Sequence, residues 1–218
     1  MRNDLTEIIM IMDRSGSMAV LRNDAIGGFN TFLEDQKKQP GAANLTLVLF
    51  HQYYDVIYAG RPIQEVPPLT TETYVPGGST ALLDAMGKAI NQTGARLAAM
   101  EEQNRPGKVI VVILTDGQEN SSMEFNKTRI AEMVQHQEEK YGWKVIFLSS
   151  DLNAVRDARA YIMPGSVLGY KPDANGTRGA YGVASCAVSS YRATGNTGDL
   201  NADNVVVSST SGEGTNKN

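Results

Sequence analysis

Cysteine is nearly absent from this 218-residue chain: Cys186 is the only one. That excludes an internal disulfide and suits a reducing, cytoplasmic setting. Basic charge is not in excess either. Twenty Lys and Arg stand against 24 Asp and Glu, for a net charge of -4, and no basic patch stands out, so nucleic acid is not an expected partner. No apolar run reaches the roughly 18 residues of a membrane span. The start, Met1-Arg2-Asn3-Asp4, lacks the features of a secretory leader. A Gly-rich phosphate loop closed by Lys-Ser/Thr is also missing. The length suffices for one large domain or two small ones with a real core.

What is present is an alternation of strand and helix signals, which predicts a layered α/β domain with a mainly parallel sheet. Glu7 to Met12 is a continuous apolar strand, as expected for burial on both faces. Ala25, Ile26, Phe29, Phe32 and Leu33 follow at helical spacing, with Asn23 or Asp24 as the expected cap. Asn44 to His51 and Tyr53 to Ala59 read as two strands joined by a tight turn, hence antiparallel. Arg61 to Ser79, rich in Pro, Thr and Gly, reads as a long loop, of the kind that is either functional or disordered, with Tyr74-Val75 as a candidate partner contact. Leu82 to Met100 is helical by periodicity. Lys108 to Thr115 is almost wholly apolar and is the expected centre of the sheet.

Ser121-Ser122-Met123-Glu124 spells a capping box for a helix running towards Tyr141. Trp143 to Ser149 is a further strand, Leu152 to Ile162 a helix, Ser166 to Gly169 a short edge strand. Ala180, Val183, Ala184, Ala187, Val188 and Tyr191 mark one face of a last helix, on which Cys186 is expected to be buried and inert. Composition then turns to Gly, Asn, Ser, Thr and Asp. The organisation expected is one domain over 1–193 and a polar tail or linker over 194–218, with Val205-Val206-Val207 a weak strand candidate.

Two carboxylates end two of these strands. Asp13-Arg14-Ser15-Gly16-Ser17 follows the first apolar run, and Asp116-Gly117 follows the central one. In open α/β sheets, ligands sit in the crevice outside the carboxyl ends of the strands. Asp13, Ser15 and Ser17 occupy alternate positions and offer oxygen only. Hard oxygen donors with few carboxylates suit Mg²⁺, with Mn²⁺ or Ca²⁺ as substitutes. Asp116 completes the charge balance if its strand neighbours the first. As ordinary turn and cap residues, these same side chains would have no ligand at all. His51 and His136 have no sequence cue placing either beside the serines as a base.

The Asp-x-Ser-x-Ser pattern at Asp13, Ser15 and Ser17 resembles the metal-ion-dependent adhesion site of von Willebrand factor A-type (VWA) domains. That family's third element, a Thr before a helix, is matched by Pro76-Gly77-Gly78-Ser79-Thr80-Ala81, and its fourth, an Asp after the central strand, by Thr115-Asp116-Gly117. The resemblance covers roughly Thr6 to Tyr191. It implies a doubly wound, Rossmann-like sheet, mainly parallel with one antiparallel edge strand and helices on both faces. It implies direct ligation by Ser15, Ser17 and Thr80, with Asp13 and Asp116 acting directly or through water. It also implies a coordination position left for an acidic side chain of a protein partner, and a binding module without catalysis. Met18-Ala19-Val20 after the second Ser lacks the acidic residues that an adjacent ion needs, so no second metal is expected there. Two other readings stand beside this one. In the first, a bound ion activates water for phosphatase or esterase chemistry. In the second, the domain is an assembly protein with a vestigial site.

Overall fold

A computed structural model describes residues 1–198; the tail positions 199–218, including Val205 to Val207, lie outside the described residues. The strands are β1 (Arg2–Asp13), β2 (Ala42–Phe50), β3 (Tyr54–Pro62), β4 (Pro106–Thr115), β5 (Lys144–Ser149) and β6 (Val167–Gly169). They form one sheet in the order β3-β2-β1-β4-β5-β6. All neighbours are parallel except β2 and β3. Among the described residues five α-helices flank the sheet: α1 (Arg22–Lys38), α2 (Leu82–Ala98), α3 (Lys127–Tyr141), α4 (Leu152–Ala158) and α5 (Ala174–Thr194).

Period-two geometry splits each central strand between two cores. Ile8, Met10 and Met12 of β1 join Ile110, Val112 and Leu114 of β4 under α1 and α5. Ile9 and Ile11 join Val109, Val111 and Ile113 under α2, α3 and α4. Burial on both sides explains the unbroken apolar runs of β1 and β4. The chain builds the sheet outward from β1 to β3, then returns to build outward from β4 to β6. Strand order therefore reverses between β1 and β4, and the crevice at their carboxyl ends is the expected ligand position of such sheets. Met12 lies opposite Leu114, which brings the next residues, Asp13 and Thr115, side by side.

Several local expectations are corrected. α1 is not capped by Asn23 or Asp24, which lie in its first turn, because a 3-10 segment, Gly16–Leu21, leads straight into it. α3 begins at Lys127 with Asn126 as its cap, since Ser122 is used elsewhere. α4 stops at Ala158, short of Ile162. Cys186 is exposed: α5 turns Val183, Ala184 and Ala187 inward, and the helical period puts Cys186 on the outer face. Trp143 is buried, as are Met10, Met12, Met86 and Met133, while Met100 packs half-buried at the edge of the core. Among the described residues, no helix is long and apolar enough to cross a membrane.

Candidate metal centre

The five residues singled out by sequence lie on three loops at the carboxyl edge of the sheet. Asp13 is 1 % exposed and is held by both oxygens. Oδ1 accepts the Ser15 N–H at 2.6 Å and Oδ2 accepts the Thr115 hydroxyl at 2.5 Å. Ser15 Oγ lies 3.2 Å from Ser17 Oγ, and Ser17 donates to Asp116 Oδ1 at 2.8 Å. Thr80 closes the group. A Cβ placed on Gly117 would sit 3.7 Å from Thr80 Oγ1 and 3.8 Å from Ser17 Oγ, so both hydroxyls approach one point beside that glycine. Exposure is graded across the group. Asp13, Ser15 and Thr80 are buried, Asp116 is half-buried and Ser17 faces solvent.

The loops are bound to one another by backbone hydrogen bonds. Gly16 N donates to Gly78 O at 3.0 Å and Gly77 N to Arg14 O at 2.8 Å. Gly78 sits at a φ of +75° against Gln52, a combination open only to glycine. Thr80 is held at both ends by one side residue: its N–H donates to Asn120 Oδ1 at 2.9 Å, and its carbonyl accepts the Asn120 N–H at 3.0 Å. Thr80 is not a helix cap. α2 takes its cap from the loop after β4, where Glu119 accepts the Leu83 N–H at 2.9 Å and Ser122 Oγ accepts the Asp84 N–H at 3.0 Å. Asp84 answers by accepting the N–H groups of Met123, Glu124 and Phe125.

Tyr74 is fully buried rather than a contact for a partner. Its hydroxyl donates to the Asp13 carbonyl, and Arg22 fixes its loop through the carbonyls of Tyr74 and Thr71. Only Val75 of that pair is exposed. Tyr170 donates to the Thr115 carbonyl at 3.3 Å, so a tyrosine supports each of the two strand ends. Thr115, Tyr170 and Asp84 are supporting residues that sequence reasoning missed, while Tyr74 takes a supporting role in place of the expected partner contact. Only Glu119 and Asn120 carried a signal, their closeness to Asp116. Arg14 is spent on an ion pair with Asp55. His51 lies near the rim, where its carbonyl accepts the Ala81 N–H and its Nδ1 accepts the Tyr53 N–H at 2.9 Å. His136 belongs to α3, away from the serines.

The electrostatics follow from burial. Desolvation pushes the Asp13 carboxyl up to about 6, against the hydrogen bonds from Thr115 and Ser15, and the nearby Asp116 charge adds to the rise. Burial also raises Asp116, with Ser17 opposing it. Two carboxylates held together under partial burial favour a proton or a cation. Among the described residues no three His, Cys, Asp or Glu side chains gather as metal ligands. The donors here are two carboxylates and three hydroxyls instead, an all-oxygen set that fits a hard divalent ion.

No family model and no curated protein sequence matches the chain. Solved structures do. The proximal thread matrix protein 1 of the mussel byssus is 14 % identical with a TM-score of 0.51, over 75 % of this chain and 41 % of that one. The manganese-loaded Plasmodium vivax TRAP protein is 16 % identical with a TM-score of 0.50, over 68 % of this chain and 58 % of its own. A von Willebrand factor type A structure from Catenulispora acidiphila is 16 % identical with a TM-score of 0.49, over 81 % and 43 %. The chain thus spans at most 58 % of the length of these proteins. What the first two share with it is backbone architecture, and this chain's own sheet, mainly parallel with one antiparallel edge strand and helices on both faces, is the Rossmann-like α/β fold expected of a von Willebrand factor A-type domain.

Proposed function

We propose that this domain is a divalent-cation-dependent protein-binding module, without catalysis, whose ion is held by Asp13, Ser15, Ser17, Thr80 and Asp116. The observation that carries the reading is the convergence of these oxygens from three loops on the switch point between β1 and β4. A manganese-loaded neighbour of the same fold supports it. When bound, Mg²⁺ or Mn²⁺ supplies a coordination position for an acidic side chain of another protein. Asp13, with both oxygens already engaged by Thr115 and Ser15, orients the serine loop and contributes charge from behind. Ser17 and Asp116, the more exposed members, form the side open to a partner.

One metal–carboxylate contact does not make a stable complex, which needs roughly 1,200–2,000 Å² of buried surface. The rim is suited to supply it. Of nine exposed large apolar side chains among the described residues, five lie in the segments that connect strands and helices at this edge of the sheet or on the first residues beyond them: Val20 in the 3-10 segment, Tyr53, Val75 and Met123 on loops, and Leu152 at the start of α4. A partner that presents Asp or Glu among large apolar residues fits such a rim.

The test is calorimetry with Mg²⁺ and Mn²⁺ on the wild type and on Ser17→Ala. The wild type is expected to bind one ion, and the variant to bind roughly tenfold more weakly; equal heats for the two proteins remove the site. Peptides selected on the Mn²⁺-loaded protein and eluted with a chelator then report the partner chemistry. Enrichment of an acidic residue flanked by large apolar ones is expected, and an eluate with no acidic preference refutes the adhesion reading.

A further inference from the structure

The opposite edge of the sheet, where β4 and β5 begin, carries a second concavity. α2 and α3 flank it without closing over it, because Gly94, Ala95 and Ala98 of α2 have too little side chain to fill the space. A cavity of about 460 Å³ results, within the range of small-molecule sites. Its floor is apolar, with Ile90, Val109 and Trp143 buried beneath it. Its polar wall carries two side-chain cations, Arg105 and Lys140, beside the imidazole of His136. Arg105 comes from the turn before β4, while His136 and Lys140 stand one helical turn apart on the same side of α3. Tyr141 extends the wall, its ring 5.6 Å from that of His136 and 5.4 Å from Lys140 Nζ. Among the described residues no Asp or Glu lines the cavity, although the chain as a whole is acidic. Arg105 donates through Nη2 to the carbonyls of Ala98 and Met100, and its buried Nε has no hydrogen-bond partner among the described residues.

From this pairing of an apolar floor with an acid-free cationic wall we infer that the cavity binds a small aromatic carboxylate. The ring would lie against Trp143 and Val109, and the carboxylate would face Lys140, His136 and Arg105. The volume suits a single drug-sized molecule, whereas a protein partner needs several hundred Å² per side. A cationic ligand would meet repulsion at the wall, and a neutral one would leave the wall's charge unused. The cavity and the Asp13–Asp116 centre lie at opposite ends of the strands, so neither proposal depends on the other.

Trp143 is the chain's only tryptophan, so its indole N–H gives a single resonance that reports on this cavity. The isotope-labelled 218-residue chain is titrated with 2-naphthoate and with its neutral analogue 2-naphthamide, in chelator so that no metal ion can capture the carboxylate. The expected result is a saturable indole shift with 2-naphthoate and roughly tenfold weaker binding of the amide. Gly94→Phe is expected to abolish the shift by filling the space, since a Cβ at Gly94 meets nothing within 4 Å. Lys140→Glu, at an exposed position, is expected to weaken 2-naphthoate roughly tenfold while the thermal melt is unchanged. An indole resonance unmoved at millimolar 2-naphthoate overturns the inference. So does equal affinity for acid and amide, or undiminished binding to Lys140→Glu.

Discussion

Asp13→Asn should make the metal-free protein more stable at neutral pH while removing its response to metal. The buried Asp13 carboxyl is raised from its ordinary 3.8 to about 6. Between about pH 4 and 6 the folded chain therefore holds a proton that the unfolded chain has released. Its contribution to stability is greatest below that window, falls as pH rises through it and stays low above it. At about 1.4 kcal/mol per tenfold change in proton affinity, the whole loss is roughly 3 kcal/mol. That is a large part of a typical net stability of about 5–15 kcal/mol. Asn cannot ionise, so it escapes the loss. It keeps one oxygen for the donors Ser15 N–H and Thr115 Oγ1, and the weakening of these two bonds offsets about 1–2 kcal/mol.

In chelator, then, the variant should exceed the wild type by about 1–2 kcal/mol at about pH 7.5, and fall slightly below it at about pH 4.5. A hundredfold excess of Mg²⁺ over its dissociation constant should return about 2.7 kcal/mol to the wild type and nothing to the variant. Urea unfolding followed by Trp143 emission measures both proteins under all three conditions. Glu7 and Asp116 are also raised by burial and His51 is lowered, so the difference between the two proteins is the quantity to follow. If that difference is the same at both pH values, the buried-charge argument is wrong.

Two further substitutions probe what holds the centre and the sheet. Tyr74→Phe deletes the donor to the Asp13 carbonyl and should cost about 1–2 kcal/mol, with a severalfold loss of Mn²⁺ affinity by calorimetry; a loss of stability with unchanged affinity would separate Tyr74 from the site. Arg96→Met strands the Glu7 carboxylate, which is 0 % exposed and otherwise bonded to the Thr46 hydroxyl at 2.7 Å. It should cost roughly 2–4 kcal/mol in urea, below the range for fully buried pairs because the Arg96 side chain is 29 % exposed, and Glu7→Gln in the same background should recover part of it. A cost under about 0.5 kcal/mol would mean that the pair contributes no more than a surface ion pair.

The parts of the site that could be read from sequence are those written in strands. Asp13 and Asp116 announce themselves because β1 and β4 are buried on both faces, so each apolar run ends abruptly at a carboxylate. Their adjacency depended on strand order, which the parallel pairing of β1 and β4 supplies. Tyr74 misleads because an aromatic residue in a Pro- and Gly-rich loop reads as a surface anchor, whereas the loop folds back and plugs it under β1. The run from Ser121 to Glu124 misleads for a more general reason. It has the spelling of a cap, and the acceptors around it do satisfy free helix N–H groups, but Ser122 and Glu119 serve α2 rather than α3. Asp84 of α2 in turn serves the loop they come from. Every helix start leaves N–H groups without partners, and local sequence cannot tell which helix a nearby oxygen will serve. Here the exchange between α2 and the loop after β4 has a consequence for the site. Thr80 is released from capping duty, its backbone is clamped by Asn120, and its hydroxyl is left free to join Ser17 beside Gly117.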